Sequence, residues 1–402
     1  MIKRTLQELC LNITDGKHGD CENEGNSGYY FISCKDIFDG QINYKNARQI
    51  TKADFEETHK RTMLEVDDIL LTNSGTIGRM AFVTDREVTT KTTFQKSVAI
   101  IKPDKQKVLP RYLYYQLQNC VPQFINSSNG SAQKNLLLST MRTFQIEIEE
   151  NREKQEKIAN TLSAYDDLIE NNQKQIKLLE EAAQRFYKEW FVDLRFPGHE
   201  NTKIVDGVPE GWNWCKLEDA IQLDPKVTLT KERMKQFIPM SALSTSSMVL
   251  DESQFTETTS NSGSKFQNGD TLLARITPCL ENGKTAYVSG LKSDEGAVGS
   301  TEYIVMRAKT INSYMVYLLA RTDDFRQSAI NSMSGSDGRQ RVKSDKLKML
   351  DYLHPTSELV EKFENVEEPI FEKIYRLSKQ MQQAKQARDL LLPKLMSGEV
   401  EV

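Results

Sequence analysis

The chain has 402 residues, of which 38% are hydrophobic and 27% charged. That length exceeds one ordinary core and implies two to three folding units, while the composition excludes a disordered polyelectrolyte. The net charge of −4 excludes a uniformly basic polyanion binder, yet it hides a pattern: residues 1–146 sum to +3, 147–200 to −5, 201–352 to zero and 353–402 to −2. Affinity for nucleic acid follows where the cations sit, not the total.

The opening segment, residues 1–10, is basic but has no apolar stretch of the kind a secretory signal carries, and no run approaches ~18 consecutive apolar residues, so the reading is a cytoplasmic protein with no membrane span. Cys10, Cys21, Cys34, Cys120, Cys215 and Cys279 form no CxxC pair and read as reduced thiols. His18, His59, His199 and His354 are too scattered for a zinc site, and no metal is expected.

The first folding unit, residues 1–146, alternates short β-rich runs with turn residues such as Asp39-Gly40. Asp67-Asp68 precedes an apolar strand and fits a turn better than a metal site. At the exit of that strand Asn73, Ser74, Thr76 and Arg79 form either a polar turn or a DNA-contacting loop. Asn, Ser and Thr reach base edges or phosphates, and Arg grips guanine with two bonds. Lys91, Thr92, Thr93 and Lys96 mix cations with small hydroxyls, as phosphate contacts do, or else protect a strand edge. A Gly-Ser loop follows with Asn129, Ser131, Gln133 and Lys134.

From residue 158 the positions Ile158, Leu162, Tyr165, Ile169, Asn172, Ile176, Leu179, Ala183, Phe186 and Trp190 alternate spacings of four and three. This is the seam of a heptad repeat, with Asn172 as the polar residue that fixes register. The helical segment, residues 147–197, must end before Pro197-Gly198. Asp166-Asp167 on it reads as solvated charge.

The second folding unit, residues 198–352, repeats the first at a distance of about 200 residues. Asp270-Thr-Leu-Leu-Ala-Arg275 matches Asp68-Ile-Leu-Leu-Thr-Asn73, and the runs from Glu302 and Tyr314 match those from Ser97 and Tyr112. The corresponding contact candidates are Arg275, Thr277, Lys284, Ser336, Arg339, Gln340 and Arg341. Each unit is expected to hold a curved or barrel-like sheet flanked by helices. Residues 353–402 carry a second seam: Leu359, Phe363, Val366, Ile370, Ile374, Leu377, Met381, Ala384, Arg388, Leu391 and Leu395, with a stutter between Ile370 and Ile374. Pro393 should disturb its last turn and Gly398 cap it. Two such stripes in one chain predict an antiparallel coiled coil of ~60 Å.

No Walker loop, dinucleotide fingerprint, HExxH or GxSxG elbow is present, and no methyltransferase Asn/Asp-Pro-Pro-aromatic motif. An enzyme methylating or cutting DNA by itself is the alternative these absences count against.

Three segments resemble the specificity subunit of Type I restriction–modification enzymes: residues 390–402 (LLLPKLMSGEVEV), residues 155–169 (QEKIANTLSAYDDLI) and residues 68–78 (DILLTNSGTIG). The proline-rich lead-in that the family often has before its central helix is replaced here by residues 145–152 (QIEIEENR). The resemblance implies an α+β fold in which two similar mixed α/β target-recognition domains are separated by two long antiparallel coiled-coil helices, a quasi-twofold repeat. It implies a non-catalytic subunit whose domains each read half of a bipartite double-stranded DNA target. It also implies two modification subunits carrying S-adenosylmethionine, restriction subunits in the full complex, and no cofactor on this chain.

Overall fold

The structure is a computed structural model and describes residues 1–128, 134–336 and 338–401. The chain forms two compact units, Met1–Leu168 with Ala384–Val402, and Ile169–Gln383. Both boundaries fall inside long helices, Arg152–Tyr187 and Ser357–Ser397, so each helix contributes to both units.

In the first unit an antiparallel sheet runs in the order Cys10–Asp15, Val98–Pro103, Ile69–Thr72, Met80–Phe82. Its two middle strands are buried on both faces, and the period of two sorts their side chains into two cores. Ile69, Leu71, Ala99 and Ile101 pack with Tyr112, Leu113 and Tyr115 of helix Pro110–Asn119. Leu70, Val98 and Ile100 pack with Ile32 and Phe94 of a second, three-stranded sheet. That sheet is ordered Arg48–Gln49, Tyr30–Ile32, Thr92–Phe94, with the last two parallel. Ile2–Thr5 pairs with Gln145–Ile148.

The second unit repeats the main sheet strand for strand. Ile221–Leu223, Tyr303–Ala308, Thr271–Ala274 and Thr285–Tyr287 form its main sheet. Leu273, Ile304 and Met306 face Met315 and Val316 of helix Ser313–Ala320, while Leu272 and Val305 face Ile238 and Ala297. Lys235–Ile238 lies parallel to Ala297–Gly299, and Asn213–Lys216 pairs with Asp351–His354. The units differ in their inserts. The first carries helix Lys52–Thr62, and the second a further strand, Ser264–Phe266. In both, the sheets are open rather than barrel-like, since four strands are too few to close.

The expected helix pairing is present within each unit. In the first, Ile158, Ala159 and Leu162 share a core with Leu395 and Met396, with Leu391 packed against it. Asp166 accepts from the Tyr115 hydroxyl at 2.6 Å and pairs with Arg388 at 2.7 Å, so it is an interhelical partner rather than solvated charge. In the second, Ile176, Ala183 and Tyr187 pack with Phe363, Phe371, Ile374 and Leu377, with Leu179 and Ile370 alongside. Asn172, 1% exposed, donates from Nδ2 to Gln380 Oε1 at 3.1 Å. Low numbers of one helix meet high numbers of the other in both units, so the pairing is antiparallel. Ile169 is buried and Met381 half-buried, as seam positions should be.

Two seam positions differ from the spacing. Phe186 is 40% exposed, and its neighbour Tyr187 is buried against Phe363. Towards the other helix's start Glu367, fully buried, takes the place expected for Val366. Neither Glu367 carboxylate oxygen has a partner among the described residues, and burial pushes the group up to about 7. Pro393 does not end its helix, which runs to Ser397, and Gly398 closes it with a positive φ of 76°. The central helix closes earlier than Pro197, passing at Tyr187 into a π-turn over Lys188–Val192. No helix among the described residues is long and apolar enough to cross a membrane.

Candidate nucleic-acid interface

In the first unit three loops meet at the exit of strand Ile69–Thr72. Asn73 N–H donates to Ser97 O at 3.1 Å, Leu136 N–H donates to Asn73 O at 2.8 Å, and Ser74 forms an antiparallel bridge with Asn135. Segments around residues 73–79, 95–97 and 134–136 therefore share one surface. The turn is held by Thr72, whose hydroxyl accepts from Arg79 N–H at 2.9 Å and donates to Thr76 O at 2.5 Å. Gly78 sits at φ 92° against Val121, where a Cβ would lie 2.5 Å from Cγ1.

Thr76, Arg79, Lys96 and Lys134 are exposed on this surface, and Ser74 is half-exposed. Arg79 makes one long bond, 3.4 Å, to Cys34 O. Asn73 is 4% exposed, so its backbone anchors the loops and its amide is not displayed. Thr92 and Thr93 are fully buried and are corrected from contact to packing residues. Thr93 shares a hydroxyl bond with Thr62 of helix Lys52–Thr62, and Thr92 donates to Val88 O. Lys91 is exposed but immediately precedes strand Thr92–Phe94, whose far end reaches the surface, on the order of 10 Å away along the chain. Asn129, Ser131 and Gln133 lie outside the described residues.

The second unit brings the matching segments together with the same bonds. Arg275 N–H donates to Glu302 O at 2.9 Å, Val342 N–H to Arg275 O at 2.9 Å, Thr277 N–H to Gln340 O at 3.1 Å, and Ile276 bridges Arg341. Here several cations are used internally. Arg275 donates from Nε and Nη2 to Val342 O at 3.1 and 2.9 Å, and Lys284 donates to Met240 O at 2.9 Å. Arg341 binds both Glu302 oxygens, at 2.7 and 2.9 Å. That pairing holds the Glu302 carboxyl below its ordinary range. Ser336 and Arg339 are exposed and Gln340 and Thr277 half-buried.

Each main sheet is locked at the other end by a buried ion pair. Asp68, 3% exposed, accepts from Lys102 Nζ at 2.7 Å and Glu65 N–H at 2.8 Å, both on one oxygen. Burial still pushes it up to about 6. Asp270, 1% exposed, takes Arg307 on both oxygens at 2.6 Å and Gln267 N–H at 2.8 Å. The carboxylate expected in a turn is thus a structural lock, and Asp67 beside it makes the turn at φ 77°.

Sequence reasoning missed a fourth segment in the first unit. Lys17 N–H donates to Phe94 O at 2.8 Å and Lys96 N–H donates to Lys17 O at 3.1 Å, so residues 15–20 adjoin the surface. His18 is on it, at 3.0 Å from Asp15. The available signal was a polar, glycine-flanked segment directly after an apolar strand. No group of three or more metal-ligating side chains occurs among the described residues.

Residues 5–181 match the family model described as the Type I restriction modification DNA specificity domain. The chain is 27% identical over 386 residues to the Type I restriction enzyme MjaIX specificity subunit of Methanocaldococcus jannaschii, covering 92% of this chain and 87% of that one. It is 35% identical over 140 residues to the EcoAI specificity subunit of Escherichia coli, covering 34% and 24%. The crystal structure of the Type I restriction–modification S subunit from M. genitalium superposes with a TM-score of 0.59 at 16% identity, over 98% of this chain and 95% of that one. The match to the specificity-domain model thus lies in the part of the chain up to residue 181, and the similarity to the M. jannaschii specificity subunit extends over most of the chain.

Proposed function

We propose that each unit's convergent surface reads one half of a bipartite duplex DNA target, and that the paired helices set the unread spacer and dock the modification subunits. One observation carries the reading. Three segments far apart in sequence meet at the same strand exit in both units, held by equivalent backbone bonds, and leave Arg79, Lys96 and Lys134, or Ser336 and Arg339, exposed. Such polar, cation-bearing loops on a rigid sheet suit base-edge and phosphate contact. Two like readers suit two copies of a modification subunit, which would supply S-adenosylmethionine and the methyl transfer, with restriction subunits joining the full complex. This chain would contribute recognition and no chemistry of its own.

The test is a domain exchange. Replacing residues 1–146 with those of a relative and mapping methylated adenines in cells should change one half of the recognised site and leave the other. Change in both halves would refute independent readers. Turnover of S-adenosylmethionine or DNA by the purified chain alone would refute the recognition-only role.

A further inference from the structure

His18 stands on a loop built more firmly than its exposure requires. Gly16 lies flat on strand Thr92–Phe94, where a Cβ would come within 1.9 Å of Phe94 O. Lys17 pairs with Asp54 at 2.9 Å and Glu57 at 3.0 Å, and Asp54 also takes Glu22 N–H at 2.7 Å. Arg48 reaches Asp20, Asn23 and the carbonyl of Cys21. Beneath His18 lies Asp15, 5% exposed, whose other oxygen is taken by Arg61. The imidazole itself is open, with 59% of its side chain exposed. A loop fixed at this many points, ending in a displayed aromatic heterocycle, is pre-organised for a ligand.

The partner fixes the tautomer. A carboxylate only accepts, so Nε2 carries the hydrogen towards Asp15, and in the neutral tautomer this leaves Nδ1 of the exposed ring as the acceptor. Such an acceptor matches the exocyclic amino group of adenine or cytosine in the major groove; a phosphate, itself an acceptor, does not match it. Resting on the DNA-reading role above, we infer that His18, positioned by Asp15 and Arg61, is a base-reading residue of the first unit, taking an amino-bearing base edge next to the contacts of Lys96.

The experiment selects target duplexes from a random-sequence pool with the full chain assembled with its modification subunits, for the unaltered protein, His18→Ala and Lys96→Ala. His18→Ala should lower affinity for the selected duplex about tenfold and erase the preference at one base pair. That base pair should fall in the half-site that exchange of residues 1–146 alters. An unchanged consensus overturns the inference, whether affinity is kept or falls uniformly. If Lys96→Ala weakens binding while His18→Ala does not, the reader surface stands and the His18 role falls; if neither weakens it, the surface itself is misassigned. Should His18→Ala fail to assemble, diethyl pyrocarbonate footprinting of the unaltered complex decides. The selected duplex should protect His18 several-fold relative to His199, and absence of protection overturns the proposal.

Discussion

The two units solve one problem with different side chains. Both close their main sheet by burying an aspartate at the start of the third strand, but the first unit satisfies it through a lysine on one oxygen and the second through an arginine on both. A guanidinium fork matches a carboxylate, and an ammonium offers a point contact. At the opposite, displayed end the balance reverses. The first unit leaves Lys96 and Lys134 exposed with Arg79 held by one long bond, whereas the second commits Arg275, Lys284 and Arg341 to internal acceptors. Duplication preserved the frame, and the cations were redistributed between holding it and facing outward.

The largest effect should come from breaking the locks. Arg307→Met strands Asp270 in the core and should cost about 3–5 kcal/mol by urea denaturation of the full chain. Lys102→Met should cost less, because Asp68 already titrates at about 6. A raised folded value means the ionised form is the disfavoured one, so the cost of Lys102→Met should shrink as pH falls from 8 to 5. Equal, pH-independent costs would erase the distinction between the two locks.

Glu367 gives the next effect, and it belongs to the second unit alone. Between its ordinary 4.5 and about 7 the folded chain holds a proton that the unfolded chain has released, so stability falls as pH rises through that window. Glu367→Met should therefore stabilise by up to ~3 kcal/mol at pH 8, and by clearly less at pH 5, read as a Tm difference. A gain that does not depend on pH would mean that packing, not ionisation, is responsible.

Smaller again is the difference in salt dependence. Lys96→Ala should reduce the slope of log affinity against log salt by about one, and Lys284→Ala by much less, in binding titrations of the assembled complex with its target duplex. Equal slopes would show that DNA releases the second unit's lysine from Met240. Last, Asn172→Leu should raise stability by roughly 0.5–1 kcal/mol while weakening register, seen as a loss of cooperativity in denaturation. A plain loss of stability would assign the bond to Gln380 a larger share.

The repeat and the helix pair were readable because spacing alone encodes them. Heptad positions from Ile158 to Leu395 and the matched runs at Asp68 and Asp270 need no long-range information. The three segments proposed for contact were readable as segments, since turn residues at a strand exit are local. What each side chain does there was not. Thr92 and Thr93 look like any exposed hydroxyl pair until helix Lys52–Thr62 covers them, and Arg341 looks like a DNA cation until Glu302 meets it. Asp166, Glu367 and Tyr187 depend on which face the opposite helix covers, and His18 on a loop that folds back to residues 94–96.

Leu395 and Met396 complete a core otherwise built by residues before 169. During synthesis the ribosome must therefore make the whole of the second unit before the first can finish closing. The unit begun earliest waits longest, with Tyr112, Leu162 and their neighbours short of cover in the interval. A chain ended between residues 383 and 390 and released from the ribosome should carry a completed second half and a first half still short of Leu395 and Met396.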